Sequence, residues 1–179
     1  SGVGGAVTVT GHDVTLAAAR IRADGDAGGG TIRVGGGRAG ADATMANATQ
    51  LTVTAATALD ASARVDGDGG SILTWADASN RFAGQMRARG GAGGGNGGTL
   101  EVSAGQEVQF GGSADAGASM GQGGQFLLDP KFIVIKAPAV IAGVSVELLD
   151  PNPGSGDLFG LNPVLLNNGN ILIFNANDD

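Results

Sequence analysis

The sequence lacks cysteine and tyrosine and has few aromatic and basic residues. Among 179 residues there are one Trp, one His, six Phe and ten Lys plus Arg. Without Cys the chain has no disulfide, no thiolate metal site and no Cys nucleophile. The formal net charge is -7, and no basic run is present to follow a phosphate backbone, so we expect no nucleic-acid partner. Lys136 and Pro138 interrupt the longest apolar run, 132–149, so we expect no membrane span.

Glycine, in contrast, is abundant, with 35 residues and no strict three-residue period, which excludes collagen. Apolar residues make up 42% of the chain, enough for a substantial core. The chain opens with SGVGG, without Met or a signal peptide, and we expect it to be an internal or processed fragment.

A Gly-Gly pair followed by a short alternating strand recurs five times. The repeats are GGAVTVT (4–10), GGTIRVG (29–35), GGSILTW (69–75), GGTLEVS (97–103) and GGQFLLD (123–129). The pairs are 25, 40, 28 and 26 residues apart, and the long interval contains an insertion loop at 35–49. Further apolar runs lie between them at 14–21, 51–59, 81–88 and 107–114.

These repeats predict an all-β fold, a parallel β-helix of about five to six coils. Alternate residues of a strand share a face, so Ile32 and Val34 point inward while Thr31 and Arg33 point outward. Each apolar face is too small for its own core, but stacking the repeats joins the faces. Small residues at 17–19, 61 and 63 are expected in the crowded interior. Short uncapped Ala-rich stretches argue against helices, and a single Asn-Gly at 168–169 argues against a sandwich of hairpins.

The composition changes near residue 130, since all five Pro lie between 130 and 163. We expect β-helix repeats over 1–136 and a C-terminal cap, tail or inter-subunit segment over 137–179. In Phe132–Lys136 and Ile171–Phe174 consecutive residues are apolar. We therefore expect each strand to be buried on both sides or to be exposed for a partner. We favour a cap on the last coil, with strand exchange and self-assembly into a filament as the alternative.

Three runs together resemble a known family: SILTWADASNRFAGQMRARGG (71–91), GGTLEVS (97–103) and the LLDP closure (127–130). Their order over about residues 4–136 is similar to the repetitive region of filamentous-haemagglutinin-like exoproteins, the secreted adhesins of two-partner secretion. The resemblance implies a right-handed parallel β-helix at a bacterial cell surface, acting in adhesion or extracellular assembly. It carries over no catalytic residue, and residues 137–179 match nothing in that family.

Candidate chemical groups are few. His12 stands alone beside Asp13 and is expected to be a solvent-facing turn residue. The two Asp-Gly-Asp corners offer oxygen ligands for calcium at Asp24, Asp26, Asp66 and Asp68. Turn chemistry explains these corners as well, and we prefer that interpretation. No resident cofactor is expected.

Some β-helices cleave polysaccharides, and Glu101 and Glu107 are the paired carboxylates to consider. Glu101 is expected to point outward, with Trp75 and Phe82 the nearest rings. Arg81, Arg87 and Arg89 are candidates for an acidic-glycan site, but we prefer the interpretation that they balance Asp77 and neighbouring acids on a solvated face. Asn47 begins an N-glycosylation sequon, which loop chemistry also explains.

The preferred hypothesis is a non-enzymatic extracellular structural or adhesive protein, a segment of a surface adhesin or a filament subunit. Its partner would be a glycan or protein of a host or neighbouring cell. A carbohydrate-active β-helix enzyme and a calcium-stabilised surface module are the alternatives.

Overall fold

The computed structural model describes residues 2–135, 140–142, 144–148, 164–165 and 171–172. This part of the chain contains strands, turns and one 3-10 turn at Arg38–Gly40, and no α-helix. The strands in chain order are β1 Ala6–Val9, β2 Asp13–Leu16, β3 Arg20–Arg22, β4 Thr31–Val34, β5 Gln50–Val53, β6 Ala58–Asp60, β7 Ser71–Ala76, β8 Ser79–Phe82, β9 Gln85–Arg87, β10 Thr99–Phe110, β11 Ser113–Asp115, β12 Gly124–Ile135, β13 Val140–Ala142, β14 Val144–Leu148, β15 Val164–Leu165 and β16 Ile171–Leu172.

The strands stack in parallel on three faces of a solenoid. The first face contains β1, β4, β7 and the first half of β10, followed by the first half of β12. The second face contains β2, β5, β8 and the second halves of β10 and β12, and the third contains β3, β6, β9, β11 and β13. An irregularity between Ala104 and Glu107 bends β10 from the first face to the second. The predicted all-β parallel solenoid is confirmed.

The solenoid makes about four turns, slightly fewer than the five to six coils expected. The expected number was too high because each Gly-Gly pair was counted as one coil. The five pairs mark the starts of five strands, and only four complete turns lie between them. The insertion at 35–49 lengthens the second turn without adding a rung, since β4 and β5 border it directly.

Inward side chains form continuous apolar columns, as the alternation predicts. One column of the first face runs through Ile32, Ile72 and Leu100, all fully buried and paired in register. On the second face Phe82 stacks on Phe110 with ring centroids 5.7 Å apart, and Phe110 lies 5.0 Å from Phe126 of the first face. Burial of these columns is the main stabilising contribution to the fold.

The Gly-Gly pairs mark the narrowest corner of the solenoid. The second Gly of a pair donates its amide across the coil to an Ala carbonyl, as Gly70 does to Ala61 at 2.8 Å and Gly98 to Ala88 at 2.7 Å. A Cβ at Gly98 would lie 2.0 Å from the carbonyl oxygen of Gly70 in the rung below. At this corner Gly is required because the backbones of neighbouring rungs approach too closely for a Cβ.

Small residues fill the interior only in part. Ala61 and Ala63 are buried as expected, but Ala17 and Ala18 are exposed and Ala19 is half-buried. The expectation for Ala17 and Ala18 was wrong because they lie between β2 and β3, at an outward corner where Ala18 has φ 52°.

Parallel stacking continues beyond residue 136. β13 pairs with β11 and β14 pairs with β12, whereas β16 pairs antiparallel with Val134 and Ile135 of β12 and with β15. The described parts of both apolar tail segments therefore pair within the chain. Lys136, Ile173 and Phe174, which belong to those segments, lie outside the described residues. Within the described ranges, no helix has the length and apolarity needed to cross a membrane.

Candidate functional site

The insertion loop 35–49 lies against the outer side of the first face. Its 3-10 turn contacts β7 and β10. Arg33 of β4 holds the loop by an ion pair to Asp42, with 3.2 Å between Nη1 and Oδ2. A cleft of about 460 Å³ remains between loop and strands, lined by Thr31, Arg33, Arg38, Ala41, Asp42, Ser71 and Leu73.

Glu101 lies beneath this loop, at the end of the cleft defined by Arg38. Its side chain points outward from β10, as expected, but the residue is only 1% exposed. One carboxylate oxygen accepts a hydrogen bond from the Ser103 hydroxyl at 2.8 Å, and the other lies 3.2 Å from an Nη of Arg38. Arg38 is itself mostly solvent-exposed, so a surface guanidinium balances a buried carboxylate.

Burial dominates the ionisation of the two neighbouring acids. It raises the pKa of Glu101, and the Ser103 hydrogen bond and the Arg38 charge oppose that rise only in part. The pKa of Asp129 on β12 is raised by burial as well, and the charge of Asp129 adds to the rise at Glu101. A buried acid with a raised pKa is a feature of general acids and also of structural contacts.

Trp75, the single Trp, is enclosed by the same loop and is 8% exposed. Its indole nitrogen donates to Asp77 Oδ1 at 2.8 Å, and the Asn47 amide donates to the same oxygen at 3.0 Å. A Cβ at Gly36 would lie 2.6 Å from the Trp75 ring, and one at Gly40 2.8 Å from it. The sequon Asn47 thus helps to hold the loop over the ring.

The two candidate carboxylates are not brought together as a pair. Glu101 is buried on the first face, whereas Glu107 is half-buried at the start of the second-face half of β10 and accepts from Gln109. The acid whose charge raises the pKa of Glu101 is Asp129, which the sequence did not indicate as a candidate. The in-register pairing of Ser103 with Asp129 brings it there.

The Asp-Gly-Asp corners are engaged in ion pairs and backbone hydrogen bonds. Arg22 donates twice to Asp24, at 2.8 and 2.9 Å, and its hydrogen bond lowers the pKa of Asp24. Arg64 lies 2.9 Å from an oxygen of Asp26. Asp66 accepts from the Gly67 amide and Asp68 from the Asn96 amide. Within the part of the chain described, no three His, Cys, Asp or Glu converge as metal ligands, and calcium binding at these corners stays the untested alternative to turn chemistry.

His12 lies at the solvent-exposed start of β2. Its ring nitrogens are 3.1 Å from Asp13 Oδ2 and 3.3 Å from the Thr49 hydroxyl. No described Ser lies in hydrogen-bond contact with it, so the described residues form no hydrolytic triad around it.

The three arginines that are close in sequence point to different places. Arg81 is exposed on β8 of the second face, and Arg89 is bound by Asp115 at 2.7 Å. Arg87 lies on β9 of the third face, where it lines a second cleft of about 260 Å³ with Arg20, Arg22, Ala58, Leu59, Asp60 and Gln85. Asp77, the acid expected to balance them, is bound to Trp75 and Asn47 instead.

The sequence reasoning missed both clefts, because each depends on which residues of different coils become neighbours. A scan against protein-family models and a search of curated proteins found no match to this chain.

Proposed function

We propose that this chain is a rigid segment of a non-enzymatic extracellular protein, an adhesin or filament subunit of a bacterial surface. The observation that carries the proposal is the in-register stack of rungs around continuous buried columns. Such a stack makes a stiff rod, while its outward positions are free to carry contact residues. The order of the Gly-Gly repeats, the WAD run and the LLDP closure, which resemble haemagglutinin-like exoproteins, supports the same proposal.

The insertion loop supports a contact role. A long loop attached to a regular scaffold is a common carrier of binding function. In this chain Arg33, Arg38 and Asn47 fix its position through contacts with the strands and with Asp77. The loop therefore presents a defined surface and does not need ordering when a partner binds, which lowers the entropic cost of binding.

The test is adhesion of the purified chain, coupled to beads, to epithelial and bacterial cells. We expect saturable retention of the beads that free chain competes away. A variant in which 36–47 are replaced by a short Gly-Ser turn reports on the loop, and beads carrying heat-unfolded chain are the control. Absence of retention on every cell type, together with a chain that stays monomeric under the electron microscope, would contradict the proposal.

For the tail we favour a cap within one chain, with strand exchange between subunits as the alternative. Electron microscopy separates them, because strand exchange gives fibres with a regular subunit repeat.

A carbohydrate-active enzyme is the second candidate, and one observation favours it. Burial raises the pKa of Glu101, which lies near Asp129, and a raised pKa is one of the conditions that a glycosidase acid needs. Its 1% exposure requires the loop to move before a sugar reaches it. Reducing-end release from a panel of polysaccharides by the wild-type chain, lost in Glu101→Gln, would support the enzyme over the structural role.

A further inference from the structure

The cleft on the third face is lined by more arginines than carboxylates. The arginines are Arg20, Arg22 and Arg87, and the carboxylate is that of Asp60. Two rows of outward residues cross this face in register. One row runs Arg20, Ala58, Gln85 and Ser113, and the next runs Arg22, Asp60, Arg87 and Asp115. The small Ala58 between Arg20 and Gln85 leaves the gap of about 260 Å³.

The carboxylates beside Arg87 are already engaged. Asp115 is held by Arg89 through two hydrogen bonds, at 2.7 and 3.0 Å, and also accepts from the Gly117 amide. Asp60 accepts from the Ser62 amide at 3.0 Å through one oxygen, and its negative charge also acts on Arg22 on the other side of it. Among the described residues, five of the eight arginines form ion pairs, whereas Arg20, Arg81 and Arg87 form none. Two of these three unpaired arginines therefore line one cleft.

We propose that this cleft binds the anionic group, carboxylate or sulfate, of an acidic polysaccharide. Arg20 and Arg87 belong to coils two rungs apart, roughly 10 Å along the axis. Arg20 lies next to Ala58 in one row and Arg87 next to Asp60 in the other, so the two long side chains line the same cleft from diagonally opposite corners and are placed to bind one anion between them. A guanidinium offers paired donors that match the oxygens of such a group.

The rest of the lining fits a sugar better than a protein. Gln85 and Asp60 supply a donor and acceptors for hydroxyl groups, whereas Leu59 is 1% exposed and offers no apolar anchor. Protein interfaces are centred on buried apolar and aromatic groups, and the lining of this cleft contains no aromatic side chain. Because the whole chain is acidic, the attraction is local and weak for each site, and salt weakens it further. A repeating polymer compensates by multivalent contact.

This inference rests on the proposed adhesive function and specifies the ligand of one of its surfaces. The test is calorimetric titration of the 179-residue chain at low salt with oligogalacturonate, sulfated dextran oligomers and neutral dextran oligomers. We expect at least one charged oligomer to bind and the neutral one not to bind. Binding of only the carboxylated or only the sulfated oligomer identifies the source of the anionic group.

Arg20→Ala and Arg87→Ala should each weaken binding by about tenfold or more, since each removes a charge-assisted contact. Arg81→Ala is the matched control, because it removes the third unpaired arginine from the second face. Ala58→Gln fills the cleft without changing any charge and should weaken binding as well. Far-UV circular dichroism and Tm verify that each variant folds.

Three results would overturn the proposal: no binding of either charged oligomer, equal binding of the neutral one, or an equal loss in Arg81→Ala. Cell adhesion distinguishes this failure from failure of the proposed function. A chain that adheres to cells unchanged by Arg20→Ala and Arg87→Ala keeps its adhesive role through another surface.

Discussion

At the scale of single residues, the glycine column shows how tightly the coils approach one another. Gly98 and Gly5 each occupy the second position of a Gly-Gly pair, but their surroundings differ. An added methyl group at Gly98 meets the Gly70 carbonyl, whereas one at Gly5 meets nothing within 4 Å among the described residues. We expect Gly98→Ala to lower the free energy of unfolding by about 3 kcal/mol or more, since the overlap is with backbone. Urea unfolding of the two variants measures this.

Gly5→Ala is the internal control for backbone entropy. It should leave stability within about 1 kcal/mol of wild type, or raise it slightly, because Ala reduces the freedom of the unfolded chain. Equal losses in the two variants would mean that close packing between rungs is not why Gly stands at this position.

Glu101 provides a prediction about pH. Its pKa in the folded chain is raised by burial, so the native state holds the proton more tightly than the unfolded state. The resulting stabilisation is fully present below the unfolded value of about 4.3 and is lost as pH rises through the raised native pKa. Glu101→Gln has no such dependence. Its Tm relative to wild type should therefore be higher at about pH 8 than at about pH 4.

Glu107→Gln is the matched control, since Glu107 lies half-buried on the same strand. If the Tm difference of Glu107→Gln rose between about pH 4 and about pH 8 as much as that of Glu101→Gln, burial of Glu101 would not be the cause. A Glu101→Gln difference that instead falls with rising pH would mean that the Arg38 ion pair outweighs desolvation, and the expected sign would then be wrong.

At the scale of elements, the insertion loop depends on one shared acceptor. Asp77 Oδ1 accepts from both Trp75 and Asn47, so Asp77→Ala removes two links at once, the one that joins Asn47 of the loop to the end of β7 and the one that holds the Trp75 ring. Each link is worth about 1 kcal/mol, which is enough to loosen a loop without unfolding the solenoid. We expect a red shift of Trp75 fluorescence and greater quenching by acrylamide. Because Trp75 is the only Trp, the signal has a single source.

Asp13→Ala is the control for loss of one acidic charge, since Asp13 is exposed and its side chain pairs with that of His12 instead of with Trp75 or Asn47. It should leave the fluorescence unchanged. Unchanged fluorescence in Asp77→Ala would show that the position of the loop over Trp75 does not depend on the Asp77 side chain.

The sequence predicted the strands and their inward residues, but it did not predict which residues of different coils become neighbours on the surface. The alternation around Ile32 and Val34 identifies inward residues without knowledge of the partner strand. To predict the cleft lined by Arg20 and Arg87, one would need the register of three successive strands of the third face. The chain segments between those strands differ in length, because one of them contains the insertion. Likewise, Arg38 and Glu101 are separated by two rungs of the first face, and nothing in the loop composition specifies where the loop packs.

At the scale of the whole molecule, stability is expected to vary along the axis. Each rung contacts its neighbours only, so an inner rung is supported on two sides and a terminal rung on one. Among the described strands β1 pairs with β4 alone, whereas the first half of β10 lies between β7 and β12. Val9 at the β1 end is half-buried, while Val34 and Val102, in the same column, are fully buried.

This column permits one substitution to be compared at three depths. Val102→Ala and Val34→Ala should each lower the free energy of unfolding by about 2 kcal/mol, and Val9→Ala by less than about 1 kcal/mol, because the cost follows the apolar area and cavity left behind. Amide exchange should follow the same order, fastest in β1 and slowest in the first half of β10. If Val9→Ala costs as much as Val102→Ala, something covers the β1 end. Dilution then identifies a second copy of the chain as the cover, since only an intermolecular contact makes the cost of Val9→Ala depend on protein concentration.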